Sequence, residues 1–238
     1  PLSVGSLKYI AESNYPPGTR GRKQIVQIFK KVIELSQSYD VGGFKEDLDQ
    51  LQANKYKAKK KPRIDDHKLL EIIDKLSIKM PEWGWCFKMM YTFGLRPSEC
   101  FGAKVNPNLT ATVLGLKGDN GLEERTAFTL TKSMIEVWNL WEIDRPYEYN
   151  MTDKKYDPIK AKQWTDQWGK KLRRVLKQEE MDKFTLYMIR HSWAIRAIKS
   201  KVNSAACAIS MGHSLDVFES TYLSSIREQD ISEIQESL

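Results

Sequence analysis

Apolar side chains recur at helical spacing along most of this chain. Over residues 20–38, Ile25, Ile28, Phe29, Val32, Ile33 and Leu35 form a stripe with Arg20, Arg22, Lys23, Lys30 and Lys31 between them, the pattern of an amphipathic helix with a basic face. From Asp65 the repeat becomes regular: Leu69, Leu70, Ile72, Ile73 and Leu76 mark a helix that Asp65 or Asp66 can cap. A second helix, from Trp83 to about Phe93, is apolar almost all round and so belongs at the centre of a core. Gly94 is placed to close it in a left-handed conformation. Pro97 then suits the first turn of another helix, with Glu99 close behind at its positive end.

Over residues 110–130 the period shortens. Thr112, Val113 and Leu114, then Thr126, Ala127, Phe128, Thr129 and Leu130, flank Gly118-Asp119-Asn120-Gly121, a β-hairpin signal with Lys117 at its entry. Further helices are predicted at 132–143, 158–178, 185–201 and 203–211, followed by a short one through Tyr222 and an amphipathic tail bearing Ile226, Ile231 and Ile234. The expected fold class is therefore mainly α with a small antiparallel β-sheet (α+β). No internal repeat or low-complexity segment interrupts it.

Length allows one large domain, or one domain with part of another. The 38 basic against 31 acidic side chains favour a polyanionic partner, though many proteins are mildly basic. Charge is concentrated at Lys55, Lys57, Lys59, Lys60, Lys61 and Arg63, on either side of the helix-stopping Pro62. This stretch reads as a linker, either a solvated connector or a strap that lies on a nucleic-acid backbone and releases counterions. Cys86, Cys100 and Cys207 lack metal-ligand spacing and read as reduced thiols, and no apolar run approaches the roughly 20 residues of a membrane span, so a soluble cytoplasmic protein is expected. Pro1 in place of an initiator methionine suggests a fragment of a longer chain.

Candidate chemistry lies in four short boxes. Arg96 follows the glycine that ends a buried helix. Arg190 lies one helical turn after Tyr187, on the same face, and is followed by His191. His213 follows Gly212 at a helix end, and Tyr222 comes nine residues later. Taken singly, each has an ordinary reading: a capping arginine, a surface arginine, a structural histidine, a core tyrosine and, for Lys117, a solvated guard of a strand edge. Together they suit attack of a phenol on a phosphodiester. A phenol ionises near pH 10 and needs charge withdrawal from the reaction it starts, and two guanidinium forks can clamp one phosphate.

In order and spacing, Gly94-Leu95-Arg96-Pro97-Ser98-Glu99, Arg190-His191-Ser192-Trp193-Ala194, Met211-Gly212-His213-Ser214 and Tyr222 resemble the catalytic domain of the tyrosine recombinases, the phage integrase family. The resemblance covers roughly residues 63–225. It implies a site-specific recombinase that cleaves and rejoins duplex DNA for integration, excision or inversion, as mobile elements do. Tyr222 would be the nucleophile, leaving a 3′-phosphotyrosyl link and a free 5′-hydroxyl. Arg96 and Arg190 would clamp the phosphate, Lys117 would protonate the leaving oxygen, His213 would hydrogen-bond a non-bridging oxygen, and Glu99 and His191 would support them. The family usually has histidine three residues before the second arginine, where this chain has Tyr187. A phenol can donate a hydrogen bond there but cannot work as a neutral-pH acid or base as imidazole does.

The same resemblance divides the chain into the end of a helical DNA-binding domain (1–54), a basic linker (55–63) with Lys57, Lys59, Lys60, Lys61 and Arg63 on DNA, a catalytic domain (64–225) and a C-terminal tail (226–238). That tail would either dock into a neighbouring subunit or pack on its own chain. No metal or cofactor is implied. The partner would be double-stranded DNA, with a homotetramer on DNA, a monomer without it, and a nucleoid location when bound. Two alternatives remain: a catalytically inactive DNA-binding protein of the same fold, and an enzyme like the type IB topoisomerases.

Overall fold

In the computed structural model, residues 4–36, 41–51, 63–116, 122–144, 156–223 and 226–236 are described. The chain divides into two compact units, 1–60 and 61–238. The first holds α1 (Val4–Asn14), α2 (Arg20–Ser36) and α3 (Val41–Gln50), packed around Leu7, Ala11, Val26, Phe29, Ile33 and Leu48. The apolar stripe of α2 is wider than its neighbours cover: Phe29 and Ile33 are buried, while Ile28, Val32 and Leu35 face outward. Arg22, read as part of the basic face, is buried instead, and its Nε donates to the Tyr15 carbonyl at 2.6 Å.

The second unit begins with α4 (Asp66–Lys79). Asp65 caps it by accepting from the His67 and Lys68 amides. Helix α5 (Pro81–Phe93) is buried on nearly every side, as its composition requires. Gly94 ends it at φ 66°, and a Cβ there would lie 2.8 Å from the Trp193 ring, so both conformation and space demand glycine. Pro97 opens a 3-10 turn, Pro97–Gly102, rather than an α-helix. Strands β1 (Ala103–Val105), β2 (Ala111–Leu116) and β3 (Leu122–Ala127) form an antiparallel sheet in sequence order, with Lys104 opposite Thr112 and Leu114 opposite Glu124. β1 was not anticipated: three residues are too few to show an alternation. β3 stops at Ala127, before the expected Leu130, and Phe128 turns onto Trp193 at 5.3 Å.

Helix α6 (Ser133–Val137) is shorter than the predicted 132–143, and Asn139 breaks it at φ 46°. Helix α7 (Pro158–Gln178) crosses the core, where Trp168 stacks on Trp83 at 5.0 Å. Helices α8 (Leu186–Lys199), α9 (Ser204–Met211) and α10 (Leu215–Tyr222) enclose a smaller cluster of Trp193, Ala194, Cys207, Met211, Phe218 and Tyr222. Among the described residues, no helix is long and apolar enough to cross a membrane.

The acidic tail forms α11 (Glu228–Glu236), which lies against α8 of its own chain. Its anchor is Asp230. This buried carboxylate accepts both guanidinium nitrogens of Arg63, one at 2.6 Å, and the Arg227 amide at 2.9 Å, with the Lys199 ammonium 3.6 Å away. The Arg63 hydrogen bonds hold the Asp230 carboxyl well below its ordinary 3.8, at about 2. A carboxyl depressed in this way stabilises the fold above its unfolded value, and that contribution disappears as pH falls through the folded value. Asp230→Asn should therefore melt several degrees below the native chain at pH 6, by the usual ~2–4 °C per kcal/mol for a domain this size, and the gap should close as pH falls towards 2. A gap that persists unchanged at low pH would show that the charge does not hold the tail.

Candidate active site

The site is built where the end of α5, the middle of α8 and the end of α9 converge on one carboxylate. Past Gly94 the chain is extended at Arg96, whose amide donates to Glu99 Oε2 at 2.6 Å, closing the first turn of the 3-10 segment. The Arg96 Nη1 donates to Glu99 Oε1 at 2.7 Å. Arg125, on β3, gives its Nη2 to Glu99 Oε2 at 2.8 Å, and the Arg190 Nη1 lies 3.5 Å from that oxygen. One buried carboxylate thus carries three guanidiniums. Burial would raise the Glu99 carboxyl, but Arg125, Arg190 and Arg96 outweigh it and hold the group below its ordinary value.

The same three arginines meet again at the C-terminus of α9. Gly212, at φ 63°, ends that helix, and the Gly212 and His213 amides bond back to the Ile209 and Ala208 carbonyls. This leaves the next three carbonyls to side-chain donors, and each receives one arginine: Arg125 Nε on Ser210 at 2.9 Å, Arg190 Nη2 on Met211 at 2.6 Å and Arg96 Nη2 on Gly212 at 2.8 Å. Cations at the negative end of a helix satisfy its open carbonyls and complement its dipole. Arg190 also donates to the Gly94 carbonyl at 2.6 Å, which ties α8 to the end of α5. Far from being a surface residue, Arg190 is 1% exposed, whereas the Arg96 side chain is 28% exposed and is the one that solvent, and hence a ligand, can reach.

His213 Nε2 lies 2.7 Å from Arg190 Nη2. Guanidinium has no acceptor, so Nε2 must offer its lone pair and the ring proton sits on Nδ1. Burial, reinforced by Arg190 and Arg96, pushes the imidazole down to about 4, so His213 is neutral around pH 7. Tyr222 is 3% exposed; its ring packs on His191 at 5.1 Å and Phe218 at 5.0 Å, and meets His213 edge-on at 6.0 Å. Burial raises the phenol above its usual range, and Arg190 opposes this.

Arg96, Glu99, Arg190, His191, His213 and Tyr222 are thus brought together. Tyr187 faces outward at 57% exposed, one turn before Arg190 and near enough to Tyr222 to disfavour its ionised form. Lys117 lies outside the described residues. Lys57, Lys59, Lys60 and Lys61 lie outside them too, while Arg63 is committed to Asp230. Two features escaped the sequence reading. Arg125 sits in the polar run Leu122-Glu123-Glu124-Arg125-Thr126, where no spacing rule singles it out. The other is α7, with seven basic residues in 21; Lys160, Lys162, Lys170, Arg173, Arg174 and Lys177 line its solvent side, and charge counting along the predicted helix could have found them.

No family model matches the chain. Among curated proteins it is similar to two from Nostoc sp. (strain PCC 7120 / SAG 25.82 / UTEX 2576). These are excisase C, 26% identical over 145 residues covering 59% of this chain and 28% of the relative, and excisase A, 30% identical over 154 residues covering 59% and 30%. The chain therefore spans less than a third of the length of the curated relatives it matches. Among solved structures, it superposes on the Tn1549 transposon integrase in complex with transposon right end DNA at a TM-score of 0.64, with 14% identity over all of this chain and 85% of that one. The XerH site-specific recombinase bound to its difH substrate gives 0.53 at 17% identity, covering 98% and 69%, and the XerA recombinase 0.52 at 14%, covering 98% and 89%. The fold is that of the tyrosine recombinases and integrases, as the four boxes implied, and is mainly helical with a small antiparallel sheet, as the apolar spacing predicted.

Proposed function

We propose that this chain carries the catalytic domain of a site-specific DNA recombinase that cleaves and rejoins duplex DNA through Tyr222. The observation that carries this reading is the cluster of three guanidiniums sharing one carboxylate, beside a neutral His213 and the Tyr222 phenol. A scissile phosphate would enter from the side of Arg96, the most exposed of the three guanidiniums, with the buried Arg190 completing the clamp behind it. As the Tyr222 oxygen gives up its proton to solvent and bonds to phosphorus, negative charge grows on the non-bridging oxygens. Preorganised guanidiniums stabilise that charge with no reorganisation, typically by about 3–4 kcal/mol per donor. His213 supplies a neutral N–H to one of these oxygens. The leaving 5′-oxygen takes a proton from Lys117, and attack of another strand's 5′-hydroxyl on the phosphotyrosine reverses the step. The energy of the broken bond is kept in the phosphotyrosine link.

In this reading residues 1–54 are the end of a DNA-binding domain, 55–63 is a linker along the backbone, and the active species on DNA is a homotetramer. The basic face of α7 fits a DNA backbone, which binds through counterion release. Replacing both Arg173 and Arg174 with glutamine is expected to weaken DNA binding and to flatten the plot of log affinity against log salt by roughly one unit for each phosphate that the variant no longer neutralises. An unchanged slope would remove α7 from the interface.

The decisive experiment incubates the chain with a nicked duplex drawn from the DNA flanking its gene, so that the cleaved strand diffuses away and a covalent adduct accumulates. An adduct of protein and DNA supports the recombinase. Sequence-specific binding without an adduct would point to the inactive DNA-binding protein, and relaxation of supercoiled plasmid without sequence preference to topoisomerase-like chemistry.

A further inference from the structure

We infer that Arg125 is a positioning residue of this site, a third guanidinium that ties Glu99 to the end of α9 and leaves the cluster with two positive charges to set against the transition state. The inference rests on the recombinase reading above and concerns a residue to which the four boxes assign no part. Arg125 makes two bonds, to Glu99 Oε2 on one side and to the Ser210 carbonyl on the other. Its side chain is 9% exposed, so it acts through those partners rather than on DNA. A Cβ added at Gly212 would lie 3.2 Å from Arg125 Nε and 3.3 Å from Arg96 Nη1, so both guanidiniums rest against the backbone that leads into His213.

The charge balance explains why a third arginine is needed. Glu99 is required to hold Arg96, because it bonds both its amide and its guanidinium. Yet a carboxylate beside two arginines alone would cancel half their charge. With Arg125 present, three guanidiniums against one carboxylate leave two positive charges. A phosphodiester carries one negative charge and gains a second as the phenolic oxygen adds, so the cluster matches the charge of the pentacoordinate state. In a buried site that match is poorly screened by solvent. Arg125 also braces β3 against α9, so the carbonyl ladder that aims Arg96 and Arg190 stays in register.

The test compares Arg125→Gln, Arg125→Lys and Arg125→Gln combined with Glu99→Gln, using the full chain and the nicked flanking duplex. Arg125→Gln should slow adduct formation at saturating DNA by about 100-fold, with the DNA dissociation constant changed less than about twofold, and Arg125→Lys should recover to within ~10-fold of the native rate. Adding Glu99→Gln to Arg125→Gln restores two positive charges and should raise the rate several-fold above that of Arg125→Gln. A brace without an electrostatic part predicts the opposite, a double variant slower than the single. The inference is overturned by a native rate in Arg125→Gln, by a loss confined to DNA affinity, or by a slower double variant that still melts cooperatively above the assay temperature. If the double variant melts below that temperature, the Lys and Gln variants decide: equal rates overturn the inference.

A second readout needs no DNA. Arg190, Arg96 and Arg125 all lower the His213 imidazole, while Glu99 raises it. An NMR titration of the chain, which has three histidines, should show His213 titrating at higher pH in Arg125→Gln. An unmoved His213 overturns the inference. A shifted His213 in a chain that forms no adduct on any duplex would preserve the network and sink the recombinase reading instead.

Discussion

Tyr222→Phe is expected to abolish the covalent protein–DNA adduct while leaving fold and DNA affinity close to those of the native chain. The ring is buried against His191 and Phe218, and phenylalanine keeps that packing. What it loses is one hydroxyl, whose ionisation burial already disfavours. That hydroxyl is the nucleophile in the proposed reaction, and nothing else in the cluster can form the phosphoester. Loss of a covalent nucleophile costs on the order of 10⁴-fold or more in rate. Adduct on a denaturing gel, a thermal melt and a DNA-binding isotherm read the three quantities separately. An adduct formed by Tyr222→Phe would assign the chemistry to another residue, and the exposed Tyr187, one turn before Arg190, would be the next to replace.

The largest effect on stability is expected from Glu99→Ala. This carboxylate receives the Arg96 amide and the guanidiniums of Arg96 and Arg125, with that of Arg190 at 3.5 Å. Removing it leaves like charges facing one another in a buried site, and the loss of one partner from a buried ionic cluster typically costs about 3–5 kcal/mol. For a domain of this size that corresponds to a fall in melting temperature of roughly 10 °C. Glu99→Gln keeps the acceptor oxygen and should lose less. The depressed Glu99 carboxyl carries the matching pH dependence: its contribution is full above the ordinary carboxylate range and is lost as pH falls through the lower folded value. A loss below about 1 kcal/mol in Glu99→Ala would mean that water or the α9 carbonyls already satisfy the arginines.

Much of the architecture could be read from short stretches of sequence. Asp65 caps α4 because a carboxylate can reach the next amides, and Gly94 and Gly212 end α5 and α9 because glycine accepts positive φ. Such signals span a few residues, so they survive without knowledge of the fold. The reading failed where local pattern and packing diverge. Residues 132–143 carry helical spacing, but the chain leaves α6 at Trp138 and turns at Asn139. The stripe of α2 overstates what is buried, because periodicity records which faces are apolar and says nothing of how far the neighbours extend. Nor could the basic run that Arg63 ends show that its guanidinium pairs with Asp230, 167 residues on.

By itself, the sequence of this protein determined α2, most helices of the second unit with several of their ends, the β2–β3 pair and the four boxes whose order resembles the tyrosine recombinases, since each depends on residues within a turn or two of one another. Only the tertiary structure decided that Arg190 is buried, that His213 is neutral with its proton on Nδ1, and that Arg125 joins the site. Arg125 meets Glu99 across 26 residues and Ser210 across 85, and Arg96 meets Gly212 across 116. Those meetings exist only after α5, α8, α9 and the sheet close on one another. Desolvation and the sum of charges around a carboxylate, which set every pKa at the site, are properties of that closed arrangement and of no single stretch of chain.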